Sequence, residues 1–420
     1  MNILWITNII LPDMAEKLGG SRPVTGGWMH NLSKLVAKSE NVHLAAAAVY
    51  QGDELQKETI DGITYYLLPI KGSNIKYHSE LEPLWQEVCK EFKPDLIHIH
   101  GTEFAHGLAC LKACSEYKYI VSMQGITNVI ARYYTAGMSF WDIIRNITFR
   151  DLVRFDTIFH GQRKMRQRGE IEKQYAFNVN YFICTTFWDY CHFKTWNQQI
   201  PVDISKRILR QSFYNSNKWN FNKCSKHSIF LSQASYPVKG LHQVLKAVKL
   251  LKNDYPALII RVAGADITKT VTLKDKIRLS GYGKYINGLI KRFGLEKNIE
   301  FLGPLGEKDM ISEYLRAHVF ISPSSIENES NSVAEAQILG VPCIASYVGG
   351  VPDSISEGVD GLLYRFEEVE MLAENIRKIF ENRSFAQTLS ANSVKTAEKR
   401  HDPETNLNKL LNTYIELSGL

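Results

Sequence analysis

Ser322–Pro352 reads SPSSIENESNSVAEAQILGVPCIASYVGGVP, and the order of elements in this stretch decides the fold class. The residues leading into it, His318-Val-Phe-Ile-Ser322, are apolar and β-prone, as a buried strand requires. A polar loop from Ser324 to Asn331 follows and carries Glu327 and Glu329. Val333, Ala334, Ala336, Ile338 and Leu339 then predict a helix starting near Ser332, stopped by Gly340 and Pro342. Cys343-Ile-Ala345 resumes a short strand, and Gly349-Gly350 opens the next loop. Strand, loop and helix in that order make one half-turn of a parallel α/β sheet. Such sheets bind ligands at the carboxyl ends of their strands, against helix N-termini.

Two acids bracket the predicted helix start. Backbone N–H groups around Ser330, Asn331, Ser332 and Val333 would favour an anion such as a diphosphate. Glu335, just behind them, is suited to accept both hydroxyls of a ribose, and Glu327, ahead of them, to hold the hydroxyls of whatever the diphosphate carries. Ser332-Val-Ala-Glu335 is equally a capping box, in which Glu335 only ties down the helix start.

Glu327-x7-Glu335 followed by Ala336, then Gly340-Val-Pro342 and Gly349-Gly350, resembles the donor-site signature of family 4 of the retaining glycosyltransferases, the glycosyl transferases group 1 family. The resemblance implies the GT-B fold: two Rossmann-like, doubly wound parallel-sheet α/β domains facing across a cleft. It also implies that Glu327 contacts the transferred sugar, Glu335 the nucleotide ribose, and the intervening amides the diphosphate.

Length and composition agree with two domains. At 420 residues the chain exceeds one ordinary core, and 45% hydrophobic with 22% charged residues is ordinary globular composition. No run of 18 apolar residues spans a bilayer, and MNILWITNIILP, without a basic n-region, reads as a first strand and not a signal peptide. The seven cysteines are scattered. Cys110 and Cys114 share a helix face, but no second ligand pair follows, which argues against zinc and for free thiols in a reducing cytoplasm. Net charge is +6, mild overall, so its distribution says more than its size.

In the first half, Met1 to Thr7 is a central parallel strand, followed by a loop with Gly19-Gly20 and Gly26-Gly27 before a helix from Trp28 to Ala37. Gly26 and Gly27 fit the family's glycine loop beside the donor diphosphate; the pattern is not the G-x-G-x-x-G fingerprint of dinucleotide enzymes. Further strands are expected at Val42–Tyr50, Ile63–Leu68, Pro94–His100 and Tyr119–Gly125. Pro94-Asp95-x-x-His98-x-x-Gly101 is similar to the family's second signature, which makes Glu103 and His106 acceptor-side candidates. His98 and His100 are as readily hydrogen-bonded sheet residues. Gln124 stands where many family members carry His, and it cannot carry a proton.

From Arg132 to Lys173, nine basic side chains face five acidic ones, interspersed with Tyr133, Tyr134, Phe140, Trp141, Phe149, Phe155 and Phe159. Ile143, Ile147, Leu152, Phe155 and Phe159 run at mostly helical spacing, with one five-residue break. Arginines beside aromatics suit an anionic bilayer surface; an ordinary helical insertion packed on the first domain has the same pattern. No nucleic-acid module accompanies the patch. Residues 197–222 are polar and read as the interdomain linker, giving domains at 1–215 and 216–400 and a helix at 401–420 returning to the first.

The second domain opens with Ser228-Ile-Phe-Leu-Ser-Gln-Ala-Ser235 and Tyr236-Pro-Val-Lys239-Gly240. Family members commonly place Arg at the position of Gln233 and Lys at that of Lys239, both on the diphosphate; here the Lys stands and the Arg is replaced. The family seats its base near Leu305. Asp266–Tyr285 reads as a polar surface loop.

The expectation is a metal-independent retaining transferase that uses a UDP- or GDP-sugar and no other cofactor. Its acceptor would be a glycan or a lipid-linked oligosaccharide in cell-surface polysaccharide assembly. Its catalytic residues would be Glu327 and Lys239, and it would be cytoplasmic or peripheral on the inner membrane face. Alternatives are a silent family member acting as an assembly partner, suggested by Gln124 and Gln233, and a nucleotide-sugar epimerase. A glycoside hydrolase would need two flanking carboxylates, and nothing positive suggests one.

Overall fold

A computed structural model describes residues 1–20 and 27–419. They form two compact units, the first from Met1–Asn128, Arg166–Arg210 and the residues from His401 on, the second from Val129–Met165 and Gln211–Arg400.

The first unit holds an eight-stranded sheet built from β1 (Asn2–Thr7), β2 (His43–Tyr50), β3 (Gln56–Ile60), β4 (Ile63–Pro69), β5 (Leu96–His100), β6 (Tyr119–Ser122), β7 (Tyr181–Cys184) and β8 (Val202–Ile204). The order is β3-β4-β2-β1-β5-β6-β7-β8, with only β3 antiparallel to its neighbour. Ile3, Leu4, Trp5 and Ile6 are wholly buried because helices cover both faces of the central strands, which is why β1 reads as a continuous apolar run. The edge strands β3 and β8 lack that run and escape the sequence reading. QKETI is half-exposed and charged, as an edge that resists further pairing should be. The stretch read as a linker, 197–222, therefore contains β8 and a short helix, Gln211–Tyr214.

The helix Pro403–Ser418 packs in this first unit. Its Tyr414 is buried, accepts from Trp5 Nε1 at 3.0 Å and bonds His98 Nδ1 at 2.6 Å, while His98 Nε2 bonds Ser122 Oγ at 2.6 Å. Both His98 nitrogens are thereby satisfied within the core.

The second unit holds β9 (Ser228–Leu231), β10 (Ile259–Val262), β11 (Ile299–Phe301), β12 (Val319–Ser322), β13 (Cys343–Ser346) and β14 (Leu362–Tyr364), all parallel, in the order β11-β10-β9-β12-β13-β14. The chain runs outward from β9 in one direction and from β12 in the other. The pair β9–β12, where the strand order reverses, is the topological switch point at which such sheets bind ligands.

Residues 129–165 pack with this second unit, whereas the sequence reading assigned 132–173 to the first. Polar contacts that no periodicity reveals decide it: Gly281 N–H donates to Asp151 at 2.8 Å, Thr148 Oγ1 to Leu279 O at 2.9 Å, and Lys284 Nζ to Arg145 O at 2.9 Å. The expected single apolar stripe is broken between the helices Phe140–Asn146 and Phe149–Val153, so that Ile143 is buried while Leu152 and Phe155 face solvent. The excursion read as a loop, 266–285, contains the helix Leu273–Arg278, started by a Thr272–Asp275 capping box, and the start of the helix Gly281–Phe293. No helix among the described residues is long and apolar enough to cross a membrane.

Candidate functional site

At the switch point of the second unit, three contacts clasp the loops after β9 and β12. Ser325 N–H donates to Val238 O at 2.8 Å. Gly240 stands at φ +70°, and a Cβ there would lie 1.7 Å from the Pro323 carbonyl oxygen, so only glycine lets the two backbones approach. The third contact is chemical: Lys239 Nζ meets Glu327 Oε2 at 2.8 Å, with both side chains about a fifth exposed (20% and 19%). Ser324 Oγ donates to the same carboxylate oxygen at 3.0 Å, and Gly350 N–H holds the Glu327 carbonyl at 3.0 Å. Burial by itself would lower the Lys239 ammonium, but the Glu327 charge overrides it and holds the group above the ordinary lysine range. An ionised lysine thus stands beside a carboxylate held by one further hydrogen bond, from Ser324, on a backbone that Gly350 pins.

The helix after this loop is Asn331–Ile338, and Ser330 is its N-cap, accepting from Val333 N–H at 3.4 Å. It starts one residue earlier than the pattern suggested, which removes the Ser332–Glu335 capping box. Glu335 sits past the third helical position, 8% exposed, with Tyr314 OH 3.5 Å from its Oε2 and donating to Ser332 O at 3.1 Å. Tyr314, from the helix Glu307–Arg316, is a site neighbour that the sequence reading missed, since nothing local ties it to Glu335, 21 residues on.

Gln233 is exposed in the loop after β9, and Leu305 is half-buried in the loop after β11. That last loop is tied to the one after β10 by Gly264 N–H donating to Gly303 O at 2.8 Å. The four loops after β9, β10, β11 and β12 leave the same edge of one sheet. Such an edge can hold an anion at the helix N-terminus and Lys239, and hydroxyl groups at Glu327 and Glu335.

The first unit has its own polar cluster at the ends of β5 and β6. A Cβ on Gly101, at φ +88°, would lie 2.3 Å from Glu103 Oε2, 3.3 Å from Gln124 Cδ and 3.4 Å from Asn8 Nδ2, so these side chains converge on one bare backbone point. Burial raises the Glu103 carboxyl above its ordinary range, and Arg168 and Arg207 oppose the shift; Arg168 Nε donates to Glu103 O at 2.7 Å. Burial pushes His106 down to about 4, so it is a neutral imidazole at neutral pH. Glu172 was not singled out by the sequence. It lies fully buried behind this loop and receives Thr102 Oγ1 at 2.9 Å, Thr127 N–H at 3.2 Å and Thr127 Oγ1 at 3.0 Å. Gly27 begins the helix Gly27–Ala37 against Arg210, and Gly26 lies outside the described residues.

Residues 214–396 match the family described as Glycosyl transferases group 1. The capsular polysaccharide biosynthesis glycosyltransferase CapM of Staphylococcus aureus is 24% identical over 184 residues, 43% of this chain and 44% of that protein. A D-inositol 3-phosphate glycosyltransferase of Corynebacterium glutamicum is 37% identical over 129 residues, 30% of this chain and 28% of that one. The chain therefore spans less than half the length of these relatives. Among solved structures, sucrose-phosphate synthase from Thermosynechococcus elongatus superposes with a TM-score of 0.72 at 14% identity, covering 99% of each chain. Anabaena Alr3699/HepE in complex with UDP and glucose gives 0.64 at 15% identity, covering 100% of each. The chain thus has the two-unit parallel-sheet α/β fold of the GT-B glycosyltransferases, and its residues 214–396 match the glycosyl transferases group 1 family.

Proposed function

We propose that this chain transfers a sugar from a nucleoside-diphosphate sugar to a hydroxyl of a glycan or lipid-linked acceptor, with retention at the anomeric carbon, in cell-surface polysaccharide assembly. The observation that carries the reading is the Lys239–Glu327 pair, 2.8 Å apart at the switch point and beside the N-terminus of Asn331–Ile338. The second unit takes the donor: diphosphate at Lys239 and the helix start with Ser330, Asn331 and Ser332, ribose at Glu335, transferred sugar at Glu327, base near Leu305. Gly27 also belongs to the donor set, and Gln233 contributes a neutral contact. The first unit takes the acceptor through Glu103, His106 and Gln124. The relatives support the class: one is named for capsular polysaccharide biosynthesis, and one structural neighbour was crystallised with UDP and glucose.

In this reading the bond from the anomeric carbon to the diphosphate breaks with its electron pair going to the phosphate oxygen. The acceptor oxygen bonds the same face of the carbon, and its proton passes to the departing phosphate. Charge grows on the leaving group, so Lys239 and the helix amides do most of the catalytic work, and no metal is needed to supplement them. Glu327 orients both the lysine and the sugar and forms no covalent intermediate. Nucleotide release from UDP-, GDP- and ADP-sugars, with and without membrane lipid extract, tests this alongside Glu327→Ala. Release from one donor that needs acceptor lipid and is lost in the variant supports transfer. Donor conversion without acceptor would point to an epimerase, and nucleotide binding without turnover to a silent partner.

A lipid-borne acceptor is favoured by a second observation. Phe140 (58% exposed), Trp141 (62%), Phe149 (77%) and Phe155 (67%) lie in solvent on 140–155, and Val271, Leu273 and Ile277 on the contacting helix region are exposed too. Exposed Arg145, Arg154, Lys274, Lys276 and Arg278 surround them. A cavity of about 510 Å³ beside this face is lined by Tyr134, Tyr236, Tyr282, Asp266 and Arg278, the mix of rings and charges that suits a sugar headgroup. Each basic residue contributes about 1 kcal/mol at an anionic surface, and aromatic insertion adds about 25 cal/mol per Å² buried. Flotation with anionic vesicles should capture the chain, and Trp141→Asp with Phe149→Asp should release it. Equal flotation with neutral vesicles, or a concentration-dependent dimer that buries the face, would overturn membrane docking and leave the transfer reading intact.

A further inference from the structure

Three thiols that the catalytic reading does not use converge in the first unit. Cys89 lies in the last turn of the helix Glu82–Phe92, Cys110 in the helix Leu108–Ala113, and Cys114 caps the end of the latter. They are 2%, 0% and 1% exposed, all are free, and their three sulfurs lie within 4.8 Å of one another. Among the described residues this is the one group of three or more His, Cys, Asp or Glu side chains so arranged. Spacing alone paired only Cys110 with Cys114; the third donor arrives from a different helix.

We propose that Cys89, Cys110 and Cys114 form a trithiolate site for a thiophilic divalent cation of the zinc and cadmium class. Three sulfurs around an ion at about 2.3 Å stand about 4 Å apart, so the set needs to close by less than about 1 Å. The surroundings favour closure over rearrangement. Tyr119 OH lies 3.0 Å from Cys110 O, 2.9 Å from Cys114 O and 3.5 Å from Cys110 Sγ, and Lys93 N–H holds Cys89 O at 2.9 Å. The backbone carbonyls at all three positions are thus occupied, and beyond the Tyr119 hydroxyl on Cys110 Sγ the sulfurs face one another. Burial and the neighbouring thiols push the Cys110 thiol up, so the cluster holds its protons in the absence of a cation. Binding then forms three metal–sulfur bonds and releases the thiol protons to solvent. Soft sulfur donors in an apolar pocket select such ions over magnesium or calcium. The bound ion would clamp the helix Glu82–Phe92 to the segment that follows the Glu103–His106 loop, giving that loop a rigid base.

The test is titration of the metal-stripped full chain with cadmium, read by the thiolate-to-cadmium charge-transfer band. One equivalent should saturate it, with an intensity for three sulfurs, and zinc should compete. Cys89→Ser, Cys110→Ser and Cys114→Ser should each remove about a third of the band and lower affinity by more than the about 10–100-fold that losing an outer partner costs. Cys191→Ser, at an exposed thiol, should change nothing. Should the buried variants fail to fold, X-ray absorption of the cadmium-loaded wild type counts the sulfurs directly. No band at one equivalent, or two or fewer sulfur neighbours, overturns the site. Donor turnover is not part of the readout, so failure here leaves the proposed function standing.

Discussion

Removing one partner of the Lys239–Glu327 pair should cost stability and turnover by separable amounts. Lys239→Met leaves Glu327 with the Ser324 hydroxyl at 3.0 Å and no cation, while Glu327→Gln leaves a nearly enclosed ammonium beside a neutral amide. Stranding one charge of a fully buried pair costs about 3–5 kcal/mol. With each side chain about a fifth exposed (20% and 19%), solvent recovers part of this, so each single variant should lose about 2–3 kcal/mol. The double variant strands nothing and should lose about 1 kcal/mol, giving a coupling of about 3–5 kcal/mol by double-mutant cycle. Urea unfolding of the four proteins measures this without any substrate. Turnover should behave differently, because in the proposed reaction the lysine also meets charge that develops on the leaving diphosphate. The double variant, although restabilised, should stay about 10²–10³-fold down in kcat. If the double variant recovers both stability and kcat, the pair is a structural tie. If neither single variant moves the unfolding midpoint, the loops are held by their backbones and the clasp argument fails.

Other outcomes follow from the same geometry. Gly240→Ala, which places a methyl 1.7 Å from the Pro323 oxygen at φ +70°, should cost at least about 2 kcal/mol in urea unfolding and weaken nucleotide binding with it. Acid should unfold the first unit early, because burial holds His98 at about 3, His106 at about 4 and His100 well below the ordinary histidine range. These groups stay neutral when folded and bind protons near pH 6.5 when unfolded. Stability present above that pH is therefore lost as pH falls, by about 1.4 kcal/mol per unit for each, and a melting temperature that does not change between pH 7 and 5 would refute it. EDTA should leave nucleotide release from the donor unchanged, since the proposed mechanism meets the diphosphate with protein groups; abolition of activity, restored by magnesium, would count against that mechanism.

How far the sequence carries depends on the range of the interaction concerned. The strand, loop and helix from His318 to Ile338 were legible because apolar spacing and Gly340 are local signals. The helix start was not, since Ser330 and Ser332 are both good caps and tertiary geometry picked the first. The 2.8 Å approach of Lys239 to Glu327 joins loops that are neighbours only because β9 pairs with β12. Edge strands β3 and β8 were invisible because one-sided burial leaves no apolar run. The packing of 129–165 in the second unit rests on Thr148 and Asp151, whose partners at Leu279 and Gly281 lie about 130 residues away, beyond any local pattern. Cys89 belonged to no motif until two helices met.

The hydrogen bonds of Tyr414 also bear on the order in which the chain can mature on the ribosome. Trp5 and His98 are translated early, yet the hydroxyl that satisfies both comes from a helix made after the whole 211–400 region. Until then the nascent first unit holds an indole N–H and an imidazole facing a gap. These two hydrogen bonds therefore close only after residues 211–400 have been made. A chain truncated anywhere before residue 403 lacks the hydroxyl that both groups bond, so its earliest-made sheet carries two buried polar groups with one partner fewer.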